Sequence, residues 1–540
     1  MTVNITRVTG CILAGYLLIA MHIHWPNRGG SGFYLPWNMV GIIVMMLVII
    51  ITMRFSGSPL FSSRLFSALL VGGVILLLPA LWSAEPWLSE VMPRQLGLLS
   101  GILFYFALLQ IPLDHRWRQR LLLLLLTAVF IEAILGLVQY ILLQNYSGSW
   151  MGFDTNYTRP YGIFQQVNVM ASFMASGLAL ALCLLGRRQT KGRISQGLIA
   201  GVLVLAPLLL MMILSRVGLL AAILLTPLQL IILWHSHPRR MMYALALIAS
   251  GVLCGVVLML LNGAAREVTS AAPVLYRLIY WQEALRMIAE RPWLGWGYGH
   301  FEHDFINHFN INYNIESVSH PHNELLYWGV EGGLLSLTGI AVITWGGWLL
   351  LRRMRPRLLR PGVWLATLPI LLHMMLEYPL YQSAAHAVML LLLLRVCDVR
   401  RQNEMPLQIQ PLLRIGIGAI AALLMLYMLN GLHSSLIITA VEKTGLQQFD
   451  AMSKVMTPTP WQARYDFDVQ LHQMMNYSQT QDPEILQGYQ RWAENEIRVR
   501  PDANTYFNLI QISRVLNQLT RAAQLKRQAQ KLYPQDSRFW

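Results

Sequence analysis

Apolar stretches long enough to cross a bilayer recur along the first 430 or so residues, and few folds are open to such a chain. In hydrocarbon every backbone N–H and C=O needs an internal partner, so these stretches become helices. Thirteen are read, at 8–25, 37–53, 65–82, 95–112, 121–143, 166–185, 196–213, 217–234, 241–261, 323–351, 362–378, 382–397 and 413–431. The closely spaced pairs 196–213/217–234 and 362–378/382–397 are each either two spans or a re-entrant hairpin, and both choices keep the parity odd. The expected fold class is all-α, a polytopic integral membrane protein of about thirteen transmembrane helices. Charged residues make up only 12% of the chain and hydrophobic ones 55%, which agrees with that class.

Basic residues set the expected orientation. With the N-terminus inside, the cytoplasmic loops carry Arg54 and Arg64, Arg116, Arg118 and Arg120, Arg187, Arg188, Lys191 and Arg193, and Arg239 and Arg240. The same side receives Arg352 to Arg360 and Arg395 to Arg414, whereas the alternating short loops carry only Arg28, Arg94, Arg159 and Arg216. This is a positive-inside pattern, and an odd number of spans puts the C-terminal segment on the outer face. The net charge of +15 is largely this topology signal, so no nucleic-acid partner is expected. Arg7 precedes the first apolar stretch and no small-x-small cleavage site follows it, so it reads as an uncleaved span. Cys11, Cys183, Cys254 and Cys397 are too scattered for a disulfide framework or a zinc site.

The expected domains are a transmembrane part, 1–433, with a large outer loop at 262–322, and an outer helical part, 434–540. Within the latter, Tyr506, Leu509, Ile510, Ile512, Ala522, Ala523, Ala529 and Leu532 fall at helical spacing before Tyr533-Pro534. That pattern predicts a helical hairpin of tetratricopeptide type, suited to docking a partner.

Chemistry-bearing residues cluster on the expected outer side. His320-Pro321-His322-Asn323-Glu324 sits where the long polar loop meets an apolar span. Pro321 suits a helix start, which predicts His322 in the first helical turn, where the dipole favours a neutral imidazole able to act as a base. The alternative is a histidine pair that only caps the helix. Arg216, in Leu214-Ser215-Arg216-Val217, is set in strongly apolar sequence and calls for an anion, either a bound one or a structural partner such as Asp154 or Glu377. Arg277 lies in a helix-like part of the loop, followed by Pro292-Trp293-Leu294-Gly295-Trp296-Gly297-Tyr298-Gly299, which predicts a tight turn against a sugar or the membrane surface. Before the sixth span, Arg159 to Asn168 offers the amides of Gln166 and Asn168 for substrate or for helix capping. His373 and Glu377, four apart, fall on one helix face where they can pair, Pro379 ends or kinks that span, and the reading is either a structural pair or a site lined by Tyr378 or Tyr381.

Taken together, these motifs resemble the bacterial superfamily of O-antigen ligases, O-antigen polymerases and protein O-oligosaccharyltransferases, over roughly 155–400. His320-Pro321-His322-Asn323-Glu324-Leu325-Leu326 with Glu331-Gly332-Gly333 looks like its histidine motif, and Ser215-Arg216 and Arg277…Trp281 like its arginine motifs. Gly162-Ile163-Phe164-Gln165-Gln166-Val167-Asn168, His373…Glu377-Tyr378-Pro379-Leu380 and the C-terminal segment look most like the protein O-glycosylation ligases.

The resemblance implies a GT-C-type glycosyltransferase at the periplasmic face of a Gram-negative inner membrane. It would move a glycan from undecaprenyl diphosphate to Ser or Thr hydroxyls of a periplasmic or pilin-like acceptor protein. His322 would be the base, Arg216 and Arg277 would hold the diphosphate, and Gln166, Asn168, Arg159, His320, Asn323, Glu377 and Tyr378 would bind or support substrate. No cofactor is implied. The outer acidic residues Asp154, Glu302, Asp304 and Glu316 are scattered, which predicts metal independence. The alternatives are an O-antigen ligase acting on a lipid A core sugar, an O-antigen polymerase extending a lipid-linked glycan, and a lipid-linked glycan transporter.

Overall fold

The computed structural model describes residues 4–27, 32–57, 59–83, 87–145, 159–187, 192–261, 272–308, 318–352, 354, 360–398, 403–404 and 407–540. In chain order its first nine helices are α1 (Ile5–Leu18), α2 (Pro36–Phe55), α3 (Arg64–Leu77), α4 (Leu88–Gln110), α5 (His115–Asn145), α6 (Val167–Leu185), α7 (Arg193–Ile213), α8 (Arg216–Ser236) and α9 (Pro238–Leu261). Then come α10 (Ala272–Glu290), α11 (Phe301–His308), α12 (Glu324–Arg352), α13 (Arg360–Leu365), α14 (Leu368–Met374), α15 (Pro379–Gln382), α16 (Ala384–Cys397) and α17 (Gln410–Lys443). The C-terminal helices are α18 (Gln462–Thr480), α19 (Pro483–Val499), α20 (Ala503–Val515) and α21 (Leu519–Leu532). A two-residue antiparallel pairing joins Phe61–Ser62 to Asn403–Glu404.

The all-α, polytopic class holds, with one correction to its count. Among the described residues, eleven helical segments are long and apolar enough to cross a membrane, namely α1 and α3 with the 3-10 turns that extend them to Ile5–His22 and Arg64–Leu81, α2, α4 to α9, α12 and α17. The expected spans 362–378 and 382–397 are instead shorter apolar helices, Pro361–Met374 and Ala384–Cys397. The first is broken after Leu365 and ends at Met374, and Pro379 opens α15 at its first position rather than closing a span. The other closely spaced pair is two full helices, α7 and α8, separated only by a left-handed Leu214 and the capping Ser215.

Of the arginines expected in loops, Arg94 and Arg395 are buried within helices. Arg395, in the last turn of α16, donates to Leu108 O, Ile111 O and Asp398 O and so caps the ends of α4 and α16. Arg94 lies in α4, where it is buried.

The chain divides into two compact units, Met1–Val71 with Gly97–Ala271 and Val342–Leu432, and Gly72–Leu96 with Ala272–Ala341 and His433–Trp540. In the first unit α6 is the central helix, packed against α5, α7, α8, α13 and α14. Its run of Ala171, Ser172, Ala175, Ser176, Gly177, Ala179 and Ala181 is buried, and small residues let neighbouring helices approach closely. At the α6–α8 contact a side chain on Gly218 would come within 2.5 Å of Ala171 Cβ.

In the second unit the helical path of α12 breaks at Gly333, whose φ of 59° and ψ of −155° are open to glycine but strained for other residues. The break frees backbone groups, and the segment from Pro292 to Gly297 satisfies them. Leu334 N donates to Pro292 O at 2.7 Å, while Trp296 N and Gly297 N donate to Val330 O and Glu331 O at 2.9 and 3.0 Å. The glycine–aromatic segment therefore forms a tight turn, as expected, and packs on a helix of its own chain. Its Trp296 is buried, and its Trp293 is 73% exposed. Beside the break, Arg94 Nη2 meets Glu331 Oε2 at 2.6 Å, and its guanidinium lies over the rings of Tyr298, Tyr327 and Trp328 at 4.5, 4.7 and 4.3 Å. Glu331 Oε1 also accepts from the backbone N–H of Gly299 and Phe301.

The C-terminal hairpin forms as α20 and α21, with Tyr506, Leu509, Ile510, Ile512, Ala529 and Leu532 in a core shared with Leu486, Tyr489, Ala493 and Ile497 of α19. Ala522 is buried, but Ala523 is exposed and Leu525 takes the inward position. Ile306 of α11 joins the same core.

Removing the Glu331 carboxylate would strand a charge among aromatic rings. Glu331→Ala is expected to lower the unfolding free energy in detergent by about 3–5 kcal/mol, the usual loss when one partner of a buried pair is removed. A thermal or denaturant melt matching wild type would refute it.

Candidate functional site

In the first unit the segment leading into α6 is held from outside by polar side chains of α5. Gln139 Oε1 accepts from Tyr161 N and Gly162 N at 2.9 and 2.8 Å, and Glu132 Oε1 accepts from Ile163 N at 2.7 Å. His22 Nδ1 lies 2.9 Å from the other Glu132 oxygen. Gly162 has φ 59°, and a Cβ there would sit 2.0 Å from Glu132 Oε1, so glycine is required on both counts. After Gln165, with φ 54°, Gln166 becomes the N-cap of α6 and its side-chain oxygen accepts from Val169 N at 2.8 Å. Arg159 donates to Ile213 O at 3.3 Å and so serves the C-terminal end of α7.

Glu377 is the hub of this region and is 2% exposed. Gln166 Nε2 donates to it at 3.0 Å, Asn168 Nδ2 at 2.6 Å, and His373 Nε2 lies at 3.2 Å. Asn168 Oδ1 in turn accepts from the Ser215 hydroxyl at 2.6 Å, and Ser215 Oγ caps α8 by accepting from Gly218 N. Arg216 is the first residue of α8 and is exposed, at a helix end whose dipole favours anions. The expected His373–Glu377 pair is therefore present, although α14 ends at Met374 and Glu377 sits in the turn beyond it. Behind it, Ser172 Oγ lies 2.8 Å from His373 Nδ1 and 3.1 Å from His386 Nε2, and Ser383 Oγ lies 2.9 Å from His386 Nδ1. Tyr378, partly buried, is the N-cap of α15 and its ring lies 6.3 Å from that of Tyr381.

In the second unit the histidine loop precedes α12 instead of opening it. Asn323 is the capping residue, its Oδ1 accepting from Leu326 N at 3.0 Å, because asparagine caps better than histidine. His322 is thus outside the first helical turn, with φ 56°, which corrects the expected placement. His320 is 6% exposed, and its Nδ1 accepts the His322 backbone N–H at 2.9 Å. Its ring lies 4.4 Å from that of Tyr327, and its Nε2 is 3.8 Å from Glu324 Oε1. Burial, with help from the neighbouring His322 and Arg94 charges, pushes its pKa well below the usual histidine range. His322 is only partly buried and its ring lies parallel to that of Tyr280 at 6.2 Å. From α10, Trp281 Nε1 donates to Pro321 O at 3.1 Å, which fixes the loop from the helix that also carries the partly buried Arg277.

Three families match successive parts of the chain. Residues 160–185 match the protein glycosylation ligase family, 200–341 the O-antigen ligase family, and 362–540 the C-terminal part of a virulence factor membrane-bound polymerase family. The chain belongs to the superfamily of O-antigen ligases and protein glycosylation ligases. No curated protein matches it. Membership in this superfamily makes it a glycosyl-transferring membrane enzyme.

For this ligase-superfamily member the structure groups Gln166, Asn168, Glu377 and Ser215-Arg216 by direct hydrogen bonds in the first unit. His320, His322 and Asn323 share one loop in the second. Asp154 and Glu316 lie outside the described residues. Glu132, Gln139, Ser172 and His386 were not singled out from the sequence, since lone polar residues within apolar helices carry no motif. Asp304, expected among the scattered outer acids, is engaged by His300 and His303. Burial alone would raise its pKa, but hydrogen bonds and charge from both histidines outweigh it and hold the carboxyl down to about 2. Asp466-Phe467-Asp468 has Asp-x-Asp spacing, but on α18 residues two apart point to opposite sides; Asp468 is buried and Asp466 takes the Gln462 amide at 2.8 Å.

A histidine whose pKa is depressed on folding contributes stability that is whole above the unfolded value of about 6.5 and is lost as pH falls below it. Wild type is therefore expected to melt earlier at pH 5.5 than at pH 7.5, and His320→Asn, which keeps an acceptor for His322 N–H, to show a smaller difference. Equal pH sensitivity in both proteins would count against His320 as the source.

Proposed function

We propose that this enzyme is a protein O-glycosylation ligase. It moves a glycan from undecaprenyl diphosphate to Ser or Thr hydroxyls of an acceptor protein on the periplasmic side of a bacterial inner membrane. The observation that carries this choice is that the segment matching the protein glycosylation ligase family, 160–185, contains Gln166 and Asn168. Both are bound to Glu377, which precedes Tyr378 and, through Asn168 and Ser215, leads to Arg216.

The acceptor oxygen attacks the anomeric carbon, the bond from that carbon to the diphosphate oxygen breaks, and the hydroxyl proton passes to His322. Of the two imidazoles, His320 spends Nδ1 on the loop backbone and is buried, whereas His322 is more accessible and is the better base. Charge grows on the diphosphate as it leaves, and Arg216 and Arg277 offer guanidiniums that bind phosphate oxygens in pairs. A single displacement inverts the anomeric configuration. With two cations serving the leaving group, the step runs without a divalent metal.

A second reading, O-antigen polymerase, is favoured by the match of 362–540 to the membrane-bound polymerase family. It differs in acceptor alone, a lipid-linked glycan in place of a protein.

Purified protein given a lipid-linked oligosaccharide and a serine-bearing acceptor protein is expected to yield glycosylated acceptor, unchanged by chelator. His322→Ala is expected to lower kcat by about 10²–10⁴-fold, the range of general base catalysis. Elongated lipid-linked glycan with unmodified acceptor protein would favour the polymerase. Loss of transfer on chelation, or wild-type turnover by His322→Ala, would refute the mechanism.

A further inference from the structure

An ionised carboxylate can only accept hydrogen bonds, and that single property sets the direction of a chain of contacts running from Glu377. Along one branch, Asn168 must present its NH2 to Glu377, so its carbonyl faces Ser215. The Ser215 hydroxyl must then donate to that carbonyl, which leaves its lone pairs for Gly218 N and fixes the first turn of α8. Gln166 obeys the same rule, since giving its NH2 to Glu377 leaves its carbonyl for Val169 N in the first turn of α6.

The buried branch has the same sense. In a singly protonated His373, Nε2–H toward Glu377 makes Nδ1 an acceptor for the Ser172 hydroxyl. Ser172 then accepts from His386 Nε2, and His386 Nδ1 accepts from Ser383. The Ser172 hydroxyl also reaches Val169 O at 3.1 Å, so the charge fixes the direction at Gln166, Asn168, Ser215 and His373, and such chains polarise one another.

We infer that Glu377 is a positioning residue: its carboxylate sets the N-cap of α6 through Gln166 and that of α8 through Asn168 and Ser215, and thereby holds Arg216 toward the donor diphosphate. This rests on the assignment of Arg216 to that diphosphate. Gln in place of Glu377 has nearly the same shape but brings an NH2 group, so it cannot accept from Gln166, Asn168 and His373 together. One of the three must turn away, and the caps lose their fixed sense. Exchanging the polarity at both ends restores it: with Asn168→Asp, the new Gln donates to Asp, whose second oxygen still accepts from Ser215.

The test uses the full-length protein in detergent with lipid-linked oligosaccharide and acceptor protein, reading kcat and the KM of each substrate beside a thermal melt. Glu377→Gln is expected to lower kcat over donor KM by about 100-fold, as displacement of a binding group by an ångström does, with acceptor KM unchanged. Adding Asn168→Asp is expected to recover about tenfold or more of that loss, a coupling typical of residues in one network. Ser215→Ala cuts the last link together with the α8 cap and is expected to raise donor KM with acceptor KM unchanged and the melt slightly lowered.

Wild-type kinetics in Glu377→Gln or Ser215→Ala would overturn the inference, as would a folded double variant no better than Glu377→Gln. Arg216→Gln separates the two levels. If its donor KM is that of wild type, the diphosphate assignment fails. If its donor KM rises while Ser215→Ala and Glu377→Gln stay normal, the positioning role alone fails.

Discussion

A carboxylate among apolar helices has no water to meet it, and the protein must bring donors to each one or lose several kcal/mol. Glu132, Glu331 and Glu377 are 0%, 0% and 2% exposed, and each gathers the polar groups around it. Glu377 draws in side-chain donors from the start of α6 and from α14. Glu132 and Glu331 instead draw in backbone N–H groups of irregular segments, at Ile163 in one case and at Gly299 and Phe301 in the other. The local geometry of the segment before α6 and of the turn before α11 follows from these acceptors, because a buried negative charge leaves its neighbours little choice of orientation.

Non-helical backbone near a membrane poses the same problem from the other side. The break at Gly333 and the turn from Pro292 to Gly297 solve it reciprocally, each supplying the partners that the other lacks. The turn before α6 is solved by Gln139 and Glu132, and the histidine loop by Asn323, His320 and Trp281. In each case the irregular segment carries or adjoins residues with chemistry to perform, as expected where loops are positioned by rigid helices.

Much of the candidate site was legible because its residues come as local motifs. His320 to Glu324, Ser215-Arg216, Gln166 to Asn168 and His373 to Glu377 each stand out in apolar surroundings, where a polar residue is costly. Less legible was what each does locally. Pro321 favoured a helix start at His322, but Asn323 won because its side chain can bond the third amide of the helix, and His322 fell into a left-handed turn. Arg159 was grouped with the substrate residues, yet its visible contact is with the end of α7. Ser172, His386 and Glu132 were invisible because their significance lies in partners 201, 214 and 110 positions away.

The sequence by itself determined a helical, many-span membrane protein, its superfamily, and the motifs where chemistry is concentrated. Hydrophobicity, helix length and charge placement are properties of short windows and need no knowledge of the fold. Tertiary structure alone decided that two of the expected spans are short helices, one of them broken, that the glycine–aromatic turn plugs a helix break, and that one carboxylate ties the starts of α6 and α8 to a buried histidine pair. Those outcomes depend on which donor meets which acceptor across hundreds of residues, and hydrogen-bond direction in a dry interior is set only when the partners are packed together.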